Sequence, residues 1–459
     1  MRAWASAGVE RASTGHDARA STGRPYYGWV LVVALGVTTI ISYGTTQYLF
    51  GVLVVPISNE LGWSRASVSG AFSVGVIVGG LTGVPVGRLV DRYGARVLMA
   101  VGSALGGASL LGLSGVHALW QFYALWSGGI GIATALTFYP VTFTVVANWF
   151  QRRRGAALAI LTLLGGLSSP IYIPLAGLLV AKLDWRGALV VLALTQLCIA
   201  LPLHALLLRR HPEDLGLLPD GDTVAPAPAV LATASDDSAL ATDAAMDTAP
   251  ISTQPAVLTG VALRAGIRQV AFWSLTVAFA LALLANSVLF VHQIAYLIGR
   301  HYGAVFAADV AGAVGLASLP GRFVLNWLSD RLRPERLLAS CLVAQAAGVV
   351  LLVYASSPIA LAGYVVVYGA AFGAISPLRA TVMAEHFGRR AFGAITAVQG
   401  VPVALAAGLG PLAAGWLYDR LGSYGLVLWL CAAAFALAGV AVALTPRPHS
   451  PADLVPGDA

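Results

Sequence analysis

The chain has 459 residues, 58% of them hydrophobic and 10% charged, with a formal charge of +7 and a mean hydropathy of +0.80. No soluble fold has enough interior to hide that much apolar surface. A soluble enzyme or a nucleic-acid-binding domain is therefore excluded, and the positive charge has to be explained by its placement along the chain.

Residues 1–26 form a polar, Arg-bearing tail with neither a short apolar core nor a cleavage signal, so the first apolar run reads as a retained helix. Six apolar stretches follow, at about 27–57, 67–89, 97–115, 118–147, 156–182 and 187–208. Each meets or nearly meets the roughly 20 residues that a spanning helix needs. Composition then changes over 209–268. Residues 212–263 hold no Lys or Arg and eight acidic residues, and Ala, Thr, Ser and Pro fill most of the rest. Such a stretch cannot offset its ordering entropy by burial, which predicts a largely disordered linker. Six more apolar stretches occupy about 269–299, 306–328, 337–356, 358–385, 391–417 and 424–445, before a tail at 446–459. The domains expected are thus 27–208 and 269–445, six spans each.

Lys and Arg alternate between loops. Twenty-one of the 27 fall on the side of the two tails and the linker, with Arg322 counted in the loop after the eighth span, and five fall on the opposite side. The positive-inside rule then places both tails and the linker in the cytoplasm. Arg379 is left over, inside a span. Cys198, Cys341 and Cys431 lie in spans as packing residues, without metal-ligand spacing.

The halves repeat. Asn148-Trp149-Phe150-Gln151-Arg152-Arg153 returns as Glu385-His386-Phe387-Gly388-Arg389-Arg390, Pro174-Leu175-Ala176-Gly177 returns as Pro411-Leu412-Ala413-Ala414, and Pro140 as Pro377, all at an offset of 237. A six-span repeat keeps its orientation, which predicts two bundles about an axis along the membrane normal with a central pathway between them.

Gly87-Arg88-Leu89-Val90-Asp91-Arg92-Tyr93-Gly94-Ala95-Arg96 follows the second span, and Asn326-Trp327-Leu328-Ser329-Asp330-Arg331 echoes it in the second half. This resembles the G-x-x-x-D-R-x-G-R-R signature of the major facilitator superfamily, with Ala95 where that family often has Arg. The resemblance covers all twelve spans. It implies an all-α polytopic membrane protein of twelve transmembrane helices in two six-helix bundles. It also implies a gate brace in which Gly87 permits close helix approach and Asp91 faces a helix N-terminus. Arg92 and Arg96 would pair with acids or lie at lipid headgroups, and Asp330, Arg331 and Glu385 would form the second copy of the brace. Tyr27-Gly28-Trp29, Val291-His292-Gln293 and Gly321-Arg322 resemble the monocarboxylate and oxalate/formate transporter branch. That branch implies a small organic anion moved with a proton or by exchange. The eleventh span has no basic residue, which counts against a dicarboxylate exchanger.

An ionisable group inside a membrane is expensive and is usually functional or paired. Arg379 lies six residues before Glu385, about 9 Å inside the cytoplasmic end. It is a candidate to grip a carboxylate bidentately or, alternatively, to pair internally or snorkel. Asp309 is a candidate proton-coupling carboxylate or helix cap, and His292 a candidate pathway or coupling residue that titrates near neutrality. The resemblance implies that the first and seventh spans line the central cavity, so Tyr43, Gln47, Asn286 and His292 are candidates to line it, and Tyr139 and Tyr172 rank below them. Tyr368 and Gln399 are further polar residues within spans. Trp149 and Trp185 read as interfacial anchors. The expectation is a secondary transporter of a small monocarboxylate at the plasma membrane, an inner membrane in a Gram-negative source. It would be proton-coupled and monomeric, with lipid and protons as its other partners and no cofactor, metal, nucleic acid or enzymatic activity. The rivals are an efflux carrier for drugs or amphiphiles, and a membrane sensor that does not transport. No ATP-binding G-x-x-x-x-G-K-[ST] motif is present.

Overall fold

In hydrocarbon every backbone amide must be satisfied within its own segment or its closed sheet, and this sequence meets that demand with helices. A computed structural model describes residues 26–221, 261–329, 331–388 and 391–446. Among them, eleven helices are long and apolar enough to cross a membrane: α1 Tyr27–Leu61, α2 Arg65–Tyr93, α3 Ala95–Ser114, α4 Leu119–Trp149, α5 Arg154–Leu207, α6 Val270–Gly299, α7 Ala304–Ser329, α8 Pro334–Val353, α9 Pro358–Phe387, α10 Phe392–Leu421 and α11 Gly425–Ala443. Their ends follow local chemistry. Gly62 and Gly422 stop α1 and α10 in the left-handed region at φ +67° and +66°. Pro334 and Pro358 open α8 and α9 in the first turn, where no amide partner is lost. Ser64 and Ser357 cap α2 and α9 by accepting from Ser67 N–H and Ala360 N–H.

The count differs from the twelve stretches because α5 runs for 54 residues, covering the fifth and sixth. It is not straight. Asp184 leaves helical geometry at φ +58°, ψ 170°. The Tyr172 and Thr195 hydroxyls, 23 residues apart in sequence, then meet at 3.4 Å. A straight helix would hold them about 35 Å apart, so the chain folds back at Asp184 into two legs.

The halves meet where α2 packs against α10 and the first leg of α5 against α7, and α1 also meets α6. Gly415 sets the closeness of the first of these contacts. A Cβ there would fall 2.8 Å from the Arg65 backbone, so nothing larger fits.

The described ends of 209–268 are packed on the halves rather than loose, and 222–260 lies outside the described residues. Beyond α5 the chain makes a short 3₁₀ turn, Pro212–Leu215, and Asp220 adopts φ +62°. That conformation aims its carboxylate at three successive amides, accepting from Gln151 N (3.0 Å), Arg152 N (2.8 Å) and Arg153 N (3.1 Å). Tyr26 O–H donates to the carbonyls of Trp149 and Leu218, tying the segment just before α1 into the same corner. On the other half, Val261 N–H donates to Phe387 O, and the short helix Leu263–Arg268 packs Gly266 against Ile395. The interfacial reading of Trp149 and Trp185 is corrected: both are buried, at 0% and 2% exposure. Their indole N–H groups donate inward, to Arg209 O and to the Glu60 carboxylate.

Burial disfavours the charged Asp220 carboxylate, but the three amide donors and the Arg152 guanidinium outweigh it and hold its carboxyl below the usual range. A depressed carboxyl stabilises the fold above its unfolded pKa, about 3.9, and that contribution is lost as pH falls through the folded value. Asp220→Ala is expected to cost about 1 kcal/mol, read as a lower thermal midpoint at pH 7, with the gap to wild type closing as pH drops below 4. A midpoint unchanged at pH 7 would show that the strap contributes nothing.

Candidate functional site

A cavity of about 710 Å³ lies between the halves. It runs along α2 from Phe72 to Val90, about 27 Å of helix, and so reaches the end that carries Gly87 but not the end that carries Arg65. Two local irregularities shape it. In α1, Gly44–Tyr48 form a widened i→i+5 turn, and Tyr43, Thr46 and Gln47 line the cavity around it. In α4, Phe138 is extended (φ −84°, ψ 179°), and Pro140 restarts the helix beyond it. Phe138 then stacks on Tyr43 with ring centroids 3.7 Å apart. Non-helical backbone at membrane depth is tolerated where it lines a cavity.

Two arginines line this cavity, and no Asp or Glu does among the described residues. Arg379 is the one expected. Its Nη2 donates to Gln399 Oε1 at 3.2 Å, and its guanidinium lies 4.7 Å from the Phe279 ring centroid. Gln399, fully buried, thus orients Arg379 rather than lining the cavity. Arg322 was missed. Counted with the loop cations, it lies seven residues inside α7 and reaches the cavity. The depth argument applied to Arg379 would have found it, since seven residues is about 10 Å of helix. Arg322 Nη1 donates to Thr162 O at 3.3 Å, while its Nε is buried with no hydrogen-bond partner among the described residues.

Tyr43, Gln47 and Asn286 line the cavity, and Asn286 is held in place. Its Oδ1 accepts from Tyr368 O–H at 2.6 Å and Gln345 Nε2 at 3.2 Å. Tyr368 therefore acts behind Asn286. Tyr172 is buried within the first half, against Gly44. Asp309 is exposed on α7, away from the cavity, and lies five residues inside the helix start, too deep to cap it.

His292 sits at the closed end of the molecule, away from the cavity lining. Its Nε2 is 2.9 Å from Pro411 O, an acceptor, which requires a hydrogen on Nε2; Ser69 Oγ is 3.3 Å from the same nitrogen. Its Nδ1 faces Tyr424 O–H at 3.1 Å. It thus ties α6 to α2 of the other half and to α10. Beside it, Asp419 of α10 accepts from Arg65 N (2.9 Å) and Ala66 N (2.8 Å), the first amides of α2.

The brace residues at the open end are apart. A Cβ on Gly87 would meet nothing within 4 Å. Asp91, Arg92 and Arg96 are exposed. Arg92 lies over Tyr93, and Arg96 Nε donates to Ala205 O. Arg331 lies over Trp327 at 4.0 Å, and Asp330 falls outside the described residues. Glu385 is exposed and has no ion-pair partner among the described residues, whereas its neighbour His386 reaches Glu335 at 3.9 Å.

Two helical halves around a cavity that is shut at one end and open at the other define a carrier of the alternating-access kind. The family model for the Major Facilitator Superfamily matches residues 35–400 and 306–458, and the chain belongs to that superfamily. It is similar to "Monocarboxylate transporter 13" of Bos taurus, 28% identical over 430 residues, 92% of this chain and 90% of that one. It is also similar to the "Oxalate:formate antiporter" of Oxalobacter formigenes, 29% identical over 171 residues, 37% of this chain and 39% of that one. Among solved structures, a bacterial homologue of the human lysosomal transporter Spinster, in an inward-facing and unoccupied conformation, has a TM-score of 0.64 at 16% identity, covering 92% of this chain and 95% of that one. The nucleoside transporter NupG has a TM-score of 0.66 at 12% identity, covering 90% and 99%. These likenesses establish the fold. The protein is a secondary transporter of the superfamily.

Charge-assisted hydrogen bonds are worth about 1.5–3 kcal/mol, and each 1.4 kcal/mol is tenfold in an equilibrium. Asp419→Ala is therefore expected to shift the protein at least tenfold toward opening at the Arg65 end. Maleimide labelling of a cysteine placed at Ser69 would rise accordingly. Equal labelling with and without Asp419 would mean that other contacts hold this end shut.

Proposed function

We propose that the protein carries a small organic monocarboxylate by alternating access, with proton symport as the driving force. The observation that supports this best is the pair of cavity arginines, Arg322 and Arg379, facing no cavity carboxylate among the described residues. A buried cation left unmatched is costly. A transported anion offsets that cost while it is bound. The names of the bovine and Oxalobacter relatives point to the same substrate class. The efflux reading for cationic amphiphiles loses ground because a positive wall repels such ligands.

In this reading the two legs of α5 are separate spans, giving twelve in two bundles of six. The Gly87 end is cytoplasmic, as are both tails and residues 222–260. The state described is then open to the cytoplasm. The separated brace residues Gly87, Asp91, Arg92, Arg96, Arg331 and Glu385, with Asp330, would close together in the opposite state. Reporter fusions at residue 240 and at the C-terminus test the orientation; a signal from the far side of the membrane at either point would refute it.

Arg322 carries the larger share of anion binding in this proposal, because Arg379 already has Gln399 and Phe279 as partners. In purified protein, Arg322→Ala is expected to lower carboxylate affinity at least 100-fold and Arg379→Ala at least tenfold. The lysine variants should lie between, because the planar fork is lost. Wild-type proteoliposomes should accumulate the same carboxylate when a proton gradient points inward. Wild-type affinity in both alanine variants would sink the anion site. Uptake indifferent to the gradient would replace symport by exchange or facilitated diffusion.

A further inference from the structure

We infer that the preferred substrate is a carboxylate with a bulky aryl body, rather than a two- or three-carbon acid; this rests on the monocarboxylate reading above. Aromatic rings form a continuous band across the join between the halves. Phe138 stacks on Tyr43 at 3.7 Å, Tyr43 meets Tyr48 at 6.5 Å, Tyr48 meets Phe290 of the other half at 5.7 Å, and Phe290 meets Phe372 at 5.4 Å. Four of these five line the cavity, all but Tyr48, and each of the four is only partly buried, so ring surface is left open to a ligand.

The band has a cation at its edge. Arg322 lines the same cavity as four of these rings, a Cβ on Gly373 next to Phe372 would fall 3.1 Å from Arg322 N, and the Arg322 Nε has no partner among the described residues. A carboxylate held by Arg322 therefore has its attached group against aromatic faces. Aromatic pairs prefer offset stacks or edge-on contacts at centroid distances of 4.5–7 Å, and they add to the gain from burial. Formate or acetate would satisfy the arginine and leave the band exposed. A phenyl ring one or two carbons from the carboxylate satisfies both. The cavity, about 710 Å³, falls within the range that holds ligands of this size.

Gly80 and Gly83 of α2 line the same cavity, and a Cβ at either would meet nothing within 4 Å, so the absence of side chains there leaves space open. Gly75, Gly79 and Gly131 also line it, but their missing side chains face the contact between α2 and α4 and serve the close packing of those helices.

Equilibrium binding to the purified full-length protein tests the inference, with acetate, lactate, benzoate, phenylacetate and 3-phenylpropionate as probes and phenylacetamide as the uncharged control. Phenylacetate is expected to bind at least tenfold tighter than acetate and lactate, and at least tenfold tighter than phenylacetamide. Phe290→Leu keeps an apolar group of similar reach and should close the gap between phenylacetate and acetate at least fivefold while leaving acetate affinity within twofold. A thermal-shift control reports folding. If that variant does not fold, Phe372→Leu gives the same readout from the other end of the band. Acetate or lactate binding as tightly as phenylacetate would overturn the aryl preference and leave the monocarboxylate reading standing. Phenylacetamide equal to phenylacetate, with no acid preferred over it, would overturn both.

Discussion

A helix start leaves four amides without intrahelical partners, and those at the start of α2 account for much of the architecture. Val68 N–H makes the first helical bond, to Ser64 O, and Ser67 N–H donates to the Ser64 side chain. Among the described residues, the amides of Arg65 and Ala66 are satisfied by Asp419 of the other half. The carboxylate also sits at the positive end of the helix dipole. The N-terminus of α2 is thus complete only while the halves are together at this end. Gly415 allows the approach, and His292 adds a second tie a few residues away. With this end shut, the space between the halves can be reached only from the Gly87 end, where the brace residues stand apart. The location of the lock therefore decides which side the cavity faces.

The lock sits at the end of an asymmetric site. Both cavity arginines belong to the second half, whereas Tyr43, Gln47 and Phe138 belong to the first. A ligand that touches only one half binds equally well however the halves are tilted and shifts no equilibrium. A ligand whose charge is held by Arg322 and whose body lies on Tyr43 and Phe138 binds best at one relative position of the halves. That difference in affinity between states is the quantity with which a substrate drives a rocking motion. The placement of charge on one side and rings on both thus serves transport as well as binding.

Much of this was legible in the residues. Length and apolar content fixed the number of hydrophobic stretches, and the repeat at an offset of 237 announced two equivalent halves. Arg379 was singled out by its depth within a span, and Tyr43, Gln47, Asn286 and His292 by the resemblance, which implies that the first and seventh spans line the cavity; the first three do line it, and His292 lies at the closed end. The misses need three dimensions. Arg322 was read with the loop cations because charge counting assigns Arg by neighbourhood, and Arg331, Arg333 and Arg336 follow it closely. Asp419 could not be singled out because its partner is backbone, and a free amide has no sequence signature. The break at Phe138 was hinted at by Pro140, but Phe138 itself carries no mark of an extended conformation. Asp220 lies in a stretch whose composition reads as disordered, and a single carboxylate on three amides is invisible to composition.

The two arginines also constrain the cycle. While the Gly87 end is open, water reaches the cavity and screens both guanidinium groups. As the halves close there, that water is expelled, and Arg322 would keep, among the described residues, the Thr162 O contact and a buried Nε without a partner. Removing solvent from a cation without supplying a counter-charge costs several kcal/mol. The closed, empty intermediate is therefore the least favourable point on the route, and under the proposed function a bound carboxylate lowers it selectively. Coupling between that substrate and movement would then need no dedicated switch residue. It would follow from placing an under-satisfied cation where the closing halves must dehydrate it, beside the aromatic rings proposed to hold the rest of the anion.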